Sequence, residues 1–174
     1  MNVVLTGFMG AGKTSTGKRL AKLLGVPFVD TDAEIERRNG PIAQIFASEG
    51  EAAFRRLESA VIAETSGAGP AVIAVGGGAV VDPRNRELLR RSSYIVYLSI
   101  SARAAHRRVS RRQHRPLLGA TPDIETVNAL LAAREQAYAD CDLAVRVDRR
   151  SAREAAEIIA RWYGDKQASE ATSG

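Results

Sequence analysis

The sequence predicts an α/β protein, one domain in which a parallel β-sheet is covered by helices on both faces. Three observations predict it. Short apolar runs alternate with amphipathic helical patterns from end to end. The apolar runs carry no polar face, as expected of strands buried on both sides. A chain of 174 residues with 45% hydrophobic content can bury one substantial core.

Taken in order, the strand candidates are Val3–Thr6, Phe28–Val29, Ala71–Val75, Tyr94–Ser99 and Leu143–Val147. Between the first two, Lys13–Leu24 reads as a helix with Leu20, Leu23 and Leu24 on one face and Gly25 as its stop. After the second strand, Ala33–Arg38 is a helical stretch that Asp32 is placed to cap. Ser48–Glu51 and Ser151–Glu154 have the spacing of a capping box, in which side chains satisfy free backbone N–H groups. Asp82-Pro83 reads as an N-cap followed by proline at the first helical position. From about Arg111 to Pro122 the alternation breaks, and the prolines, glycine and arginines there read as a loop or mobile flap. The domain is expected to span 1–163, with 164–174 a small, polar, disordered tail.

Composition removes several function classes. No apolar run is long enough for a membrane helix, and no secretory leader is expected. The single cysteine, Cys141, excludes an internal disulfide framework and a multi-cysteine zinc site, so a cytoplasmic location is expected. The net charge of +5 suits nucleic acid or small anionic substrates equally. Arg103, Arg107, Arg108, Arg111, Arg112 and Arg115 concentrate that charge in one short segment.

The most specific signal is Gly7-Phe8-Met9-Gly10-Ala11-Gly12-Lys13-Thr14, which fits G-x-x-x-x-G-K-[ST] between a strand and a helix. Glycines let the backbone fold so that several N–H groups converge on one phosphate, and the helix adds the positive end of its dipole. Lys13 would neutralise β- and γ-phosphate charge, and the Thr14 hydroxyl would bind Mg²⁺. Such a loop names a nucleotide-binding class only. No N-K-x-D base-recognition motif of a GTPase is present, and the length leaves no room for a motor's modules, so a small-molecule kinase fits best.

Asp30 and Asp32 follow the second strand and should lie at its carboxyl end, where ligands of open α/β sheets bind. One carboxylate could hold Mg²⁺ through water and the other orient or deprotonate an acceptor hydroxyl. Helix capping is the plain alternative for Asp32. Arg55 and Arg56 lie on a helix, where exposed arginines are usually only solvated. Gly76-Gly77-Gly78 follows an apolar strand, and three glycines together let a ligand approach the backbone closely.

The ordered set of phosphate loop, "DTD", "FR", "GGG", "RPLL" and a late R-x-x-x-Y over residues 1–163 resembles the shikimate kinase family. That resemblance implies the nucleoside-monophosphate-kinase architecture: a three-layer fold around a five-stranded parallel sheet, a substrate-binding helical region and a mobile lid at about 111–122. It implies transfer of the γ-phosphoryl of ATP to the 3-hydroxyl of shikimate, in aromatic amino-acid biosynthesis, by a monomer with Mg²⁺. Asp32 would bind the acceptor hydroxyls and act as base. Gly10, Ala11, Gly12, Lys13, Thr14 and Ser15 would hold ATP, with Asp30 and Thr14 at the Mg²⁺. Arg55 and Arg134 would bind the shikimate carboxylate, and Gly76, Gly77 and Gly78 would offer backbone N–H groups. Arg115 would be the lid arginine on the phosphates, Arg108 would lie by adenine, and Arg150 or Arg149 would line the adenine pocket opposite. Two departures stand out: Arg134–Tyr138 lacks the proline and leucine of the usual R-x-P-L-Y, and Thr14-Ser15 reverses the usual hydroxyl order.

Three other readings compete. A gluconate or nucleotide kinase shares the physics, and only the "DTD … FR … GGG" set separates them. A nucleic-acid-binding protein would interleave aromatic residues with the arginines, whereas the arginine segment holds none except histidines. An inactive relative would be expected to lose Lys13, Asp32 or Arg115, and all are present.

Overall fold

Each apolar run becomes a strand of one sheet in the computed structural model, which describes residues 1–110 and 123–172. The strands are β1 (Asn2–Thr6), β2 (Phe28–Asp30), β3 (Val72–Ala74), β4 (Ser93–Ser99) and β5 (Leu143–Arg146), all parallel, in the order β2-β3-β1-β4-β5. The helices are α1 (Lys13–Leu24), α2 (Thr31–Asn39), α3 (Ile42–Gly67), α4 (Pro83–Arg90), α5 (Ala102–Ser110), α6 (Ile124–Ala139) and α7 (Ala152–Thr172), and a 3₁₀ turn spans Ala79–Val81.

Right-handed crossovers sort these helices into two layers. The step from β1 to β2 runs one way across the sheet, whereas those from β2 to β3, β3 to β4 and β4 to β5 run the other way. α1 therefore lies on one face, packed on α7, and α3 and α4 pack together on the opposite face. The order reverses at β1, so the loop after β1 opens onto the crevice where α/β proteins hold ligands. Val4, Leu5, Ile73, Ile95 and Val96 are buried at the sheet centre, with Leu20 and Ile159 fully buried beneath them. Ile35, Ile45, Phe54 and Val61 form a smaller apolar cluster between α2 and α3.

The local signals hold at Asp82, which accepts from Arg84 N–H at 2.9 Å, and at Ser151, whose hydroxyl and Glu154 carboxylate cap each other's backbone N–H. Three expectations are corrected. Asp30, not Asp32, is the N-cap of α2, accepting from Ala33 N–H at 3.4 Å, because β2 runs straight into the helix and Asp32 already lies in its first turn. The Ser48 spacing does not form a capping box. The Ser48 hydroxyl donates to the Gln44 carbonyl within α3, and the break falls at Gly50, where φ is 78° and ψ is 174°. Residues 164–172, expected to be a disordered tail, continue α7. Lys166, Gln167, Ala168 and Glu170 are good helix formers, and Tyr94 docks them by donating its hydroxyl to the Glu170 carboxylate.

Candidate active site

The loop from β1 to α1 is shaped by close approach. Gly7 has φ 141°, and a Cβ there would stand 2.6 Å from the Leu98 carbonyl oxygen of β4. Ala11 N–H closes the loop on the Phe8 carbonyl at 3.1 Å, and Lys13 Nζ donates to the Gly7 carbonyl at 2.7 Å. Gly10, Gly12, Lys13, Thr14, Ser15 and the two aspartates of "DTD" surround a cavity of about 380 Å³. Within it the Thr14 hydroxyl donates to Asp30 Oδ2 at 2.7 Å. Arg108 reaches in from α5 and donates to the carbonyls of Gly10 at 3.0 Å and Val147 at 2.7 Å, tying the phosphate loop to the segment after β5.

A second cavity of about 420 Å³ adjoins, and Asp32 lines both. Its walls are apolar at Met9, Phe46 and Phe54, whose two rings lie 4.9 Å apart, and polar at Arg55, Glu58, Arg134 and Gly76–Gly78. Arg55 lies over the Phe54 ring at 5.2 Å and is held from both sides, by Glu58 at 2.7 Å and Glu51 at 2.9 Å. Gly76 and Gly78 leave room for the side chains that face them. A Cβ on Gly76 would meet Glu58 Oε1 at 2.5 Å and Asp32 Oδ1 at 2.8 Å, and one on Gly78 would meet the Arg55 guanidinium at 2.7 Å. The Gly77 carbonyl accepts from Arg134 Nη1 at 3.2 Å and from the Tyr138 hydroxyl.

Glu58 has a side chain only 1% exposed. Burial raises its pKa and the Asp32 charge adds to the rise, while the Arg55 guanidinium opposes both. Sequence reasoning missed Glu58. The available signal was its position three residues beyond Arg55 on one helix, the spacing at which side chains meet. Phe46 was equally invisible, since an aromatic residue on a helix usually signals core, and Phe54 entered only as the first half of "FR" with no part in the cavity wall.

The expected site residues thus separate into groups. Gly10, Gly12, Lys13, Thr14, Ser15, Asp30, Asp32 and Arg108 meet at the first cavity, with Ala11 buried in the core behind it, and Asp32, Arg55, Arg134 and the triple glycine meet at the second. Arg149 and Arg150 line a different open cavity with Arg103, Arg107 and Arg146, so the geometry does not choose between them. Arg115 and the lid expected at 111–122 lie outside the described residues.

A parallel sheet of this order, a phosphate loop at its switch point and a neighbouring cavity with a shared carboxylate define a P-loop small-molecule kinase. The profile of the shikimate kinase family matches residues 9–163. A shikimate kinase of Geobacter sulfurreducens is 44% identical over 95% of this chain and 92% of its own length. A structure of the Acinetobacter baumannii shikimate kinase in complex with shikimate superposes with a TM-score of 0.90 at 36% identity, covering 95% of this chain and 93% of that one. A gluconokinase from Sinorhizobium meliloti covers 95% of this chain and 96% of its own, with a TM-score of 0.61 and 19% identity, and so shares the fold alone. The chain belongs to the shikimate kinase family.

Proposed function

We infer that this chain transfers the γ-phosphoryl group of ATP to the 3-hydroxyl of shikimate, giving shikimate 3-phosphate and ADP in aromatic amino-acid biosynthesis. The observation that carries the reading is Asp32 on the common wall of a phosphate-loop cavity and a cavity holding two arginines. A donor phosphate and an acceptor hydroxyl would meet there, and a small carboxylate with several hydroxyls suits the second cavity. Arg55 and Arg134 offer planar donors to its carboxylate.

Phosphoryl transfer asks mainly for positioning and charge stabilisation. Asp32 orients the acceptor hydroxyl and takes its proton as the oxygen bonds to the γ-phosphorus and the bond to the β-γ bridging oxygen breaks. Lys13 balances the phosphate charge, with the loop N–H groups holding the chain of phosphates. Arg108 fixes the loop beside the adenine, Arg150 or Arg149 faces it, and Arg115 brings a further positive charge to the phosphates. Thr14 Oγ1 and Asp30 Oδ2 are hard oxygen atoms 2.7 Å apart, a pair that would fit Mg²⁺. Bound there, the ion would neutralise charge on the β- and γ-phosphates. Among the described residues no helix is long and apolar enough to cross a membrane, and a monomer acting in the cytoplasm suits these small diffusible substrates.

The test is ADP release from ATP and Mg²⁺ with shikimate, gluconate and nucleoside monophosphates offered in parallel. Turnover dependent on shikimate is expected. Turnover with gluconate or a nucleotide in its place overturns the reading.

A further inference from the structure

Tyr138 lies on the last turn of α6 and is fully buried, with its ring stacked on Tyr97 of β4 at 5.0 Å and 19°. A buried phenol needs a hydrogen-bond partner. The partner here is the Gly77 carbonyl at the centre of the triple glycine, which also accepts from Arg134 one helical turn earlier. Two donors from one helix therefore converge on a single carbonyl of a loop that lines the acceptor cavity. Burial pushes the Tyr138 phenol up to about 12, so it stays a donor across the working range of the protein.

The consequence follows from peptide geometry. In a planar trans peptide the N–H of Gly78 points opposite to the C=O of Gly77, hence away from Tyr138. Neither the Gly77 nor the Gly78 N–H makes a hydrogen bond among the described residues. Three glycines in succession give such a loop little stiffness of its own, and peptide flips there cost little. We propose that Tyr138 is a positioning residue for the acceptor site: by clamping the Gly77 carbonyl it fixes the 77–78 peptide, keeps the Gly78 N–H available to the acceptor, and holds Arg134 at that cavity. The proposal rests on the shikimate reading for the identity of the acceptor.

The test is steady-state kinetics of Tyr138→Phe, with Tyr97→Phe as a control that keeps the ring stack. Removing the phenol donor should raise the KM for shikimate roughly 5- to 20-fold, the scale of one buried hydrogen bond. The KM for ATP and the kcat should each stay within about twofold, and 4-aminophenylalanine at position 138, which restores a weaker donor, should recover part of the loss and leave the shikimate KM above the parent's. A purely structural tyrosine would lower thermal stability without moving the shikimate KM of the folded enzyme. An unchanged shikimate KM, an equal rise for ATP, or no recovery with the amine overturns the proposal. If Tyr138→Phe does not fold, the amine protein decides alone. As the weaker donor it must show a shikimate KM above the parent's with the ATP value unchanged, and equal values sink the idea. Absence of shikimate turnover in the parent would instead reject the assigned reaction, so the two failures are distinguishable.

Discussion

Asp32→Asn keeps the size of the side chain and removes its charge and basicity, so binding and chemistry separate at this one position. Turnover is expected to fall by about 10²–10⁴-fold, the range for loss of a general base, with ATP affinity nearly unchanged by calorimetry. Loss of ATP binding would place Asp32 in the nucleotide site or the fold. Glu58 offers a second test through pH. Its folded pKa is raised, so the native state binds that proton more tightly than the unfolded chain. Stability conferred by this group is greatest below the usual carboxylate pKa and declines as pH rises towards the raised value. Denaturant titrations from about pH 4 to about pH 8 should show the parent losing stability relative to Glu58→Gln, levelling off once Glu58 is ionised. A parallel course for the two proteins would mean that Glu58 is not perturbed by its burial.

At the level of elements, Gly76 and Gly78 make room for the two carboxylates and the arginine that face them. Gly76→Ala would place a methyl 2.5 Å from Glu58 and 2.8 Å from Asp32, both on elements fixed by packing. Its kcat/KM for shikimate should fall on the order of a hundredfold while ATP affinity holds, since the phosphate loop is untouched. The strands, α1 and the phosphate loop were legible in the sequence because each is written in contiguous residues: an apolar run, a leucine face, a glycine spacing. Asp30 and Asp32 could not be separated that way. Which of them caps α2 depends on how abruptly β2 becomes helix, and that is set by sheet packing. Glu58 was hidden for a related reason, as its importance comes from burial against Arg55 and Asp32, which no local pattern encodes. The tail misled because polar helix formers look alike whether solvated or docked on Tyr94.

For the whole molecule, α7 closes the fold by reaching back to the start of the sheet. Tyr94 meets Trp162 and Tyr163 edge-on at 5.5 and 5.9 Å and donates to Glu170, while the Tyr163 hydroxyl donates to the Met1 carbonyl at 3.3 Å. Tyr94→Phe removes the donation to Glu170 and the bond the phenol accepts from Gln167 at 3.4 Å, both partly exposed and together about 1 kcal/mol net, which for a chain of this size lowers Tm by about 2–4 °C. Both KM values should stay as in the parent, and a shift in either would show that this end of the sheet communicates with the site. At the opposite end, the cavities of about 380 and 420 Å³ share the Asp32 side chain as their partition. A molecule that joins an adenosine polyphosphate to a hydroxylated ring acid would therefore fill two cavities that meet at one side chain. Tethering makes the second docking event intramolecular, at an effective concentration far above that of either free half. That shared wall makes this chain a natural target for bisubstrate inhibitors.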